Sequence, residues 1–197
     1  MITDPAVVLV DFQRDFCDPA GAHGEDADVT GTGRPAAAVS AAATFLERYR
    51  ASGRTPILVR TIHDAASTSP LWAGKYEDRP TPCRPGTDGA KFAAGLGVES
   101  DDVVVTKHRY SGFHGTDLDA ILRSNDVSEL LIGGVATNVC VESTVRGAFD
   151  HDYEVTLLRD CTGSTEDALR ESTLQNVAAH FGTVCESDDI DLEPVET

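Results

Sequence analysis

Three residue types that together support nucleophilic catalysis occur at separate points of the chain, as Asp11, Lys107 and Cys140. A cysteine thiol becomes a strong nucleophile when a base removes its proton, and a carboxylate can take that proton and later give it to a departing amine. A neighbouring ammonium group keeps such a carboxylate ionised and adds positive charge near a developing oxyanion. Each residue alone has an ordinary structural explanation. If the fold brings them together, they predict hydrolysis of a small amide through a thioester intermediate.

The elements that must position these residues are short apolar runs that alternate with helical patterns. This alternation predicts a doubly wound α/β fold: a mainly parallel, Rossmann-like sheet with helices on both faces, in three layers. No linker or repeat divides the chain, so we expect one domain over residues 1–197. The strand-like runs lie at 6–10, 56–62, 102–106, 129–133, 153–158 and 182–185, and the helical patterns at 34–52, 116–124, 138–150 and 165–181.

Reactive groups are expected at the carboxyl ends of the strands, because ligands of open parallel sheets bind beyond those ends. Asp11 directly follows the first run, and Lys107 directly follows the third. Cys140 lies near the start of the helix after the fourth run, where the helix dipole and Lys107 are expected to favour its thiolate. In the turn before that helix, the backbone N–H groups of Ala136 and Cys140 are the candidate oxyanion hole.

Two long segments without clear periodicity, residues 12–33 and 63–97, are expected to shape the substrate pocket. Long irregular segments in a compact domain often form active-site caps. Arg14, Arg84 and Arg109 are candidates for binding a substrate carboxylate, although surface salt bridges are their expected role in so acidic a chain. The aromatic residues predicted to wall the pocket are Phe16, Trp72, Tyr110 and Phe113.

The charge balance excludes several classes of partner. The chain has 33 acidic and 16 basic residues, a formal net charge of −17. Such a surface repels nucleic-acid phosphates and anionic lipid, so we expect neither nucleic acid nor a membrane as a partner. The acidic residues are spread along the chain, which favours a halophilic, salt-adapted surface. An unusually acidic protein of a low-salt organism is the second interpretation.

Cysteine use and hydropathy indicate a cytoplasmic location. The five cysteines have no CxxC spacing, which fits neither a disulfide framework nor a zinc site. No apolar run approaches the roughly 20 residues that span a bilayer, and no signal-peptide pattern opens the sequence. We therefore expect an enzyme of the reducing cytoplasm that acts on a small molecule and requires no cofactor.

Three sequence blocks resemble the signatures of the isochorismatase-like cysteine hydrolases, and they occur in that family's order. The resemblance runs from about residue 6 to residue 185. It implies a Rossmann-like fold, a homo-oligomer (dimer or tetramer) and an Asp–Lys–Cys triad, which falls on Asp11, Lys107 and Cys140. It also implies a cis peptide bond just before Ala136. The three blocks are residues 11–16, 107–113 and 134–144.

Within the family, the resemblance is greatest to amidases of ureido and carbamoyl compounds, over residues 109–123 and 141–149. Nicotinamidase activity is a second possibility, but nicotinamidases bind a metal through an Asp-x-His pair and a further histidine. This chain has Thr61-Ile62-His63 at that point, so a metal-free site is predicted, with His63 as a structural or pocket-wall residue. Two further functions stay open: a vinyl-ether hydrolase of the isochorismatase type, which needs no thiol, and a non-catalytic binding module.

Overall fold

A computed structural model describes residues 1–22 and 34–195, and within them six strands form a single sheet. The strands are β1 (Ala6–Val10), β2 (Ile57–Thr61), β3 (Val103–Lys107), β4 (Glu129–Val135), β5 (Glu154–Gly163) and β6 (Thr183–Cys185). Their order across the sheet is β3-β2-β1-β4-β5-β6, and every neighbouring pair is parallel. The predicted doubly wound α/β fold is therefore confirmed.

The helices connect successive strands and cover the sheet on both faces. The longest ones follow the predicted patterns closely, while the irregular segment 63–97 also contains a short helix and a single 3-10 turn over Ala94–Leu96. Residues 23–33, the latter part of the other predicted pocket segment, lie outside the described residues. The helices are α1 (Arg14–Cys17), α2 (Pro35–Ala51), α3 (Pro70–Gly74), α4 (Leu118–Arg123), α5 (Glu142–Asp150) and α6 (Asp167–His180).

Two helix starts differ from the prediction for local reasons. The helix predicted over 138–150 is divided, because a π-turn over Thr137–Val141 precedes α5. Helix α4 begins later than predicted because Thr116 forms a turn of its own: its hydroxyl donates to the Gly112 carbonyl and accepts from the Leu118 N–H at 3.2 Å. Hydroxyl side chains near a helix start often compete with the helix in this way.

The core consists of two apolar layers, one on each face of the sheet. Strand β1 is buried on both faces, so its side chains alternate between the two layers. Val7 and Leu9 pack with the buried face of α2, while Val8 and Val10 pack with α4, α5 and α6. Within the described residues, no helix is long and apolar enough to cross a membrane.

The strand order reverses between β1 and β4, which makes the carboxyl ends of these two strands the switch point where ligands bind. Gly134 allows the strands to lie close together there. It has a φ of +137°, and an added Cβ would lie 2.1 Å from the Val10 carbonyl oxygen. The β4–β5 pairing is irregular between Ile132 and Gly134, and such a bulge bends the end of a strand. Local backbone geometry thus opens the crevice that holds the site.

Candidate active site

A buried ion pair joins the ends of β1 and β3 in this crevice. The Lys107 ammonium lies 2.7 Å from Asp11 Oδ2, and their side chains are 0% and 1% exposed. Asp11 has a φ of +59°, a left-handed conformation that aspartate tolerates better than most residues. Its N–H donates to the Val59 carbonyl at 2.8 Å. Because an isolated buried charge is very costly, each residue needs the other in the folded protein.

Lys107 has further partners that fix its ammonium group. It donates to the hydroxyl of Thr61 at 2.6 Å and to the Arg109 carbonyl at 3.1 Å, while the Thr61 hydroxyl donates to Asp11 Oδ1 at 2.9 Å. Burial alone would lower the pKa of Lys107, but the negative charge of Asp11 and the hydrogen bond to it act in the opposite direction, and the net pKa is raised. The network therefore holds the lysine in its charged form.

Thr61 and Gln13 are two residues of this network to which sequence reasoning assigned no role. The buried Gln13 amide donates to the carbonyls of Thr61 and Ala90 at 2.9 and 2.8 Å, and it accepts from the Thr61 N–H at 2.7 Å. It thus joins the end of β2 to the segment before the 3-10 turn. The strand-end rule contained the signal for Thr61, because this residue ends β2 beside β1.

Cys140 lies in the π-turn that follows β4 and lines the same cavity as Asp11, close enough for the charges of Asp11 and Lys107 to act on its thiol. Thr144 in α5 ties this turn to the segment before α4. Its hydroxyl donates to the Cys140 carbonyl at 2.7 Å and accepts from the Gly112 N–H at 2.9 Å. Burial raises the pKa of the Cys140 thiol and Asp11 adds to this, while Lys107 acts in the opposite direction. The net pKa is raised, so the thiolate expected from the helix and Lys107 is not the resting form.

A cavity of about 270 Å³ opens above Asp11 and Cys140. Three of the four predicted aromatic residues, Phe16, Trp72 and Tyr110, line it. The Trp72 and Tyr110 rings meet edge to face, with centroids 4.8 Å apart and an interplanar angle of 82°. This arrangement gives one side of the cavity a stiff aromatic wall suited to a small, flat ligand.

Phe113, the fourth residue predicted to wall the pocket, is not among the described residues that line this cavity. Its ring instead stacks on His151, at a centroid distance of 5.1 Å, and contacts Tyr153. It packs against the core layer formed with α4, α5 and α6. The chain turns between Tyr110 and Phe113, so residues close in sequence face different parts of the molecule.

Ala136 lines the cavity together with Cys140, and the Val135–Ala136 peptide bond is cis. The Ala136 carbonyl accepts from the N–H groups of Val139 and Val141 at 3.1 and 3.3 Å, which closes the π-turn. The two backbone groups predicted as the oxyanion hole, on Ala136 and Cys140, therefore belong to residues at the same edge of the cavity. Their role stays a prediction.

His63 also lines the cavity, against Tyr76 and Trp72. Its Nε2 lies 3.5 Å from the Tyr76 hydroxyl, and its pKa is lowered by burial and then by the charge of Lys107. This is the pocket-wall position, one of the two roles predicted for it. In the part of the chain that the structure describes, no group of three or more His, Cys, Asp and Glu side chains is arranged to hold a metal ion.

The three arginines considered as carboxylate binders have different positions. Arg14 forms ion pairs with Asp88 and Asp18 outside the cavity, as expected for an acidic surface. Arg84 is exposed and is not among the described lining residues. Arg109 lines the cavity and donates to two backbone carbonyls, at Ser67 (3.1 Å) and His108 (2.6 Å).

A doubly wound sheet with a cysteine, an aspartate and a lysine meeting at its switch point is the architecture of a hydrolase with a nucleophilic thiol. The isochorismatase domain matches residues 5–189, and the chain belongs to the isochorismatase family. The family predicted from three sequence blocks is thereby confirmed.

Relatives and solved structures agree over nearly the whole chain. The ureidoacrylate amidohydrolase RutB of Azorhizobium caulinodans is 32% identical over an alignment of 200 positions, which covers 93% of this chain and 87% of the relative. An isochorismatase family protein from Desulfovibrio vulgaris superposes with a TM-score of 0.81 at 28% identity, covering 93% and 94% of the two chains. The N-carbamoylsarcosine amidase from Thermoplasma acidophilum gives 0.76 at 25% identity, covering 97% and 99%.

Proposed function

We propose that the protein is a cysteine hydrolase that cleaves a carbon–nitrogen bond of a small amide, ureido or carbamoyl compound. The observation that carries the proposal is the buried Asp11–Lys107 pair, which lies beside the Cys140 thiol at the floor of a small cavity. The amidohydrolase and amidase activities named for the relatives support this reaction class. Asp11, Lys107 and Cys140 are the proposed catalytic residues.

The first half of the reaction begins with transfer of the thiol proton from Cys140 to Asp11. The sulfur then attacks the carbonyl carbon, and the electron pair of the carbonyl moves to oxygen. The N–H groups of Ala136 and Cys140 stabilise that oxyanion. When the carbonyl re-forms, the carbon–nitrogen bond breaks and the nitrogen takes the proton back from Asp11. Ammonia or an amine leaves, and an acyl thioester remains on Cys140.

In the second half, Asp11 removes a proton from a water molecule that attacks the thioester carbon. When the carbon–sulfur bond breaks, the sulfur takes that proton from Asp11, the acid product leaves, and the enzyme is regenerated. Lys107 orients the carboxylate throughout and balances its charge, because the two groups are held 2.7 Å apart. Thr61 holds the other carboxylate oxygen, so Asp11 presents one fixed geometry to both proton transfers.

The raised pKa of Cys140 explains why this site needs a base. A thiol that is neutral at pH 7 is a poor nucleophile, so the proton must leave as the sulfur attacks. Asp11 is the proposed acceptor, because it lines the cavity with Cys140 and its carboxylate is paired with the Lys107 ammonium.

The test is a panel of amides assayed for ammonia release with the native enzyme and Cys140→Ala. The panel contains ureido acids, biuret, N-carbamoyl amino acids, nicotinamide and simple amides, in high-salt buffer. We expect release from a ureido or carbamoyl compound that vanishes in Cys140→Ala. A folded native enzyme that releases ammonia from nicotinamide alone would favour a nicotinamidase. Release by Cys140→Ala at the native rate would contradict a cysteine mechanism.

The composition supports the location, the partners and the salt dependence that we propose for this enzyme. The single domain over residues 1–197 is a cytoplasmic enzyme with a small-molecule substrate, no cofactor and no bound metal, and its surface of net charge −17 is adapted to high salt. Salt screens the repulsion between surface carboxylates, so we expect the free energy of unfolding to rise with salt concentration. Sedimentation velocity over the same salt range measures whether the protein is the dimer or tetramer that family membership favours.

A further inference from the structure

The side of the cavity at the end of β5 carries a buried hydroxyl group, that of Ser164. This residue is 2% exposed and lines the cavity together with Ala136 and Cys140. It directly follows Gly163, which pairs with Val135 where β5 and β4 end. Since Ala136 directly follows Val135, the two loops leave the sheet side by side. The hydroxyl therefore lies at the edge of the cavity where the scissile carbonyl is proposed to bind.

The start of α2 holds the backbone on both sides of Ser164. Gly163 packs against this helix: a Cβ added to the glycine would lie 2.8 Å from the Pro35 nitrogen and 2.9 Å from its Cα. On the other side, the Arg34 guanidinium donates to the carbonyl of Thr165. Because both neighbours are tied to the same helix, the Ser164 side chain keeps one position in the cavity.

The proton of the Ser164 hydroxyl is already committed. It is donated to Asn138 Oδ1 at 2.8 Å, and Asn138 lies in the π-turn that carries Cys140. A serine hydroxyl has one proton and two lone pairs, so in this state the oxygen can only accept further hydrogen bonds. Within residues 1–22 and 34–195, no N–H or O–H group donates to it. Its lone pairs are therefore available to a ligand.

This acceptor differs from the other polar groups of the cavity. The basic side chains in the lining have donors only. The Thr61 hydroxyl is held between Lys107 and Asp11, accepting from one and donating to the other. An oxygen that can only accept cannot bind a carbonyl oxygen, which has no proton to give. It is complementary to an N–H group, and amide, ureido and carbamoyl compounds carry one on the carbon under attack.

We propose that Ser164 determines specificity for the scissile carbon–nitrogen bond: its oxygen accepts a hydrogen bond from an N–H of the leaving nitrogen. The inference rests on the proposed function and adds to it the residue that selects a nitrogen leaving group over an oxygen one. An ester of the same acyl group has no proton at that point, so the buried Ser164 oxygen would lose its partner and face another acceptor. Asn138 is a positioning residue, because it acts by holding the Ser164 proton.

The binding test uses Cys140→Ala, which removes the nucleophile and leaves Ser164 in place. Calorimetry compares 3-ureidopropionate with N-methoxycarbonyl-β-alanine, in which a methoxy group replaces the terminal NH2 and the rest of the molecule is identical. We expect the ureido compound to bind about three- to tenfold more tightly, the scale of one neutral hydrogen bond, and Ser164→Ala to abolish this preference. Equal affinities in Cys140→Ala, binding of neither compound, or a preference that survives Ser164→Ala would overturn the proposal.

Two variants of Asn138 test the direction of the hydroxyl in the same background. Asn138→Asp keeps an acceptor for the Ser164 proton and should keep most of the preference. Asn138→Leu frees that proton to be donated to the methoxy oxygen, so the preference should disappear. Ser124→Ala is the matched control, because Ser124 is an exposed serine that donates to the Ala120 carbonyl at 2.7 Å. A folded Asn138→Leu variant with the full preference would contradict the proposed orientation.

Assays of enzyme with an intact Cys140 separate this proposal from the reaction on which it rests. Attack on either compound forms the same carbamoyl thioester, with loss of ammonia from the ureido compound and of methanol from the ester. Ser164→Ala should lower kcat/KM for ammonia release about three- to tenfold and leave methanol release unchanged. An equal fall for both compounds would mean that Ser164 only supports the π-turn: cysteine hydrolysis would stand and N–H selection would fail.

The opposite outcome is also distinguishable. If the binding preference depends on Ser164 but neither these two compounds nor the wider panel is hydrolysed, N–H selection stands and the proposed hydrolysis fails.

Discussion

Strand β3 has a buried ion pair at each end, and the two pairs differ in whether the carboxylate still faces a cavity. At its start, Arg50 binds Asp102 through two contacts, Nε to Oδ1 at 3.2 Å and Nη2 to Oδ2 at 2.6 Å. Asp102 also accepts from the Glu99 N–H at 2.8 Å. At its end, Lys107 binds Asp11 through one contact of 2.7 Å. Both aspartates are buried, with side-chain exposures of 2% and 1%.

The difference lies in the cation and in what faces the carboxylate. A guanidinium covers both oxygens of Asp102 and locks the chain before β3 to α2, which is a structural arrangement. An ammonium covers one oxygen of Asp11, Thr61 holds the other, and the carboxylate still faces a cavity and a thiol. Similar burial therefore stabilises the fold at one end of the strand and prepares a proton acceptor at the other.

Removal of the thiol is the largest change that this comparison predicts. Cys140→Ala is expected to lower kcat by a factor on the order of 10⁴–10⁶, the range found when a covalent nucleophile is lost. The alanine fits the same π-turn, so the midpoint of thermal unfolding should change little. Steady-state ammonia release and calorimetry of the same preparation measure the two effects. Retention of the native kcat would remove Cys140 from the mechanism.

Loss of the charge on Lys107 should damage both stability and activity. Lys107→Met leaves the buried Asp11 carboxylate without a positive partner, so we expect the free energy of unfolding to fall by about 3–5 kcal/mol, with kcat reduced as well. Because the pKa of Lys107 is raised in the folded state, its stabilisation is complete below the ordinary lysine range and is lost as the pH rises through the higher folded value. Denaturant unfolding from pH 7 to 11 tests this sign.

A second variant covers the case in which Lys107→Met does not fold. Lys107→Arg keeps the charge but brings a larger, planar group into a fully buried site. It should fold better than Lys107→Met and still lose activity. An arginine variant with native kcat would show that charge alone is required.

Asp102→Asn breaks the other pair and should affect stability alone. Arg50 is 16% exposed, so solvent screens part of the loss, and we expect the free energy of unfolding to fall by about 2 kcal/mol. Asp102 lies at the opposite end of β3 from the cavity, so kcat per folded molecule should stay native. A large fall in kcat at unchanged stability would mean that the two ends of β3 are coupled.

Alkylation of Cys140 is expected to become faster with pH, because its raised pKa leaves little thiolate at neutral pH. The iodoacetamide rate should rise about tenfold for each pH unit between 7 and 9, since thiolate is the reactive form. Cys17, Cys83 and Cys161 are buried, also have raised pKa values and should react more slowly. Peptide mass spectrometry distinguishes the sites. A rate already constant from pH 7 upward would indicate a stable resting thiolate.

Much of the fold and part of the site follow from the sequence, because apolar runs and strand ends are local signals. Short, largely apolar runs predicted all six strands, and the strand-end rule placed Asp11, Lys107 and Cys140 at one edge of the sheet. The positions of Thr61 and Gln13 follow the same rule, but their hydrogen bonds depend on contacts about 50 residues apart in sequence.

The cavity wall was less predictable, since loop residues are placed by long-range packing. Phe113 lies two residues from Ser111 and three from Tyr110, yet it packs on His151 because the chain turns between them. Lys75 and Arg79 carry no local signal at all: a basic side chain in an irregular segment is usually solvated. Only the fold shows that they lie at the cavity, where Lys75 packs over Trp72 and Tyr110 and Arg79 over Tyr76.

The measurement that tests the central claim most directly is kcat of Asp11→Asn, normalised to the folded fraction and compared with Asp102→Asn. Both variants neutralise one buried aspartate of an ion pair on β3. Loss of a catalytic base costs about 10²–10⁴ in rate, so Asp11→Asn should lose at least about a hundredfold in kcat while Asp102→Asn keeps the native value. Equal, near-native kcat values for both folded variants would contradict the assignment of Asp11 as the proton acceptor of Cys140.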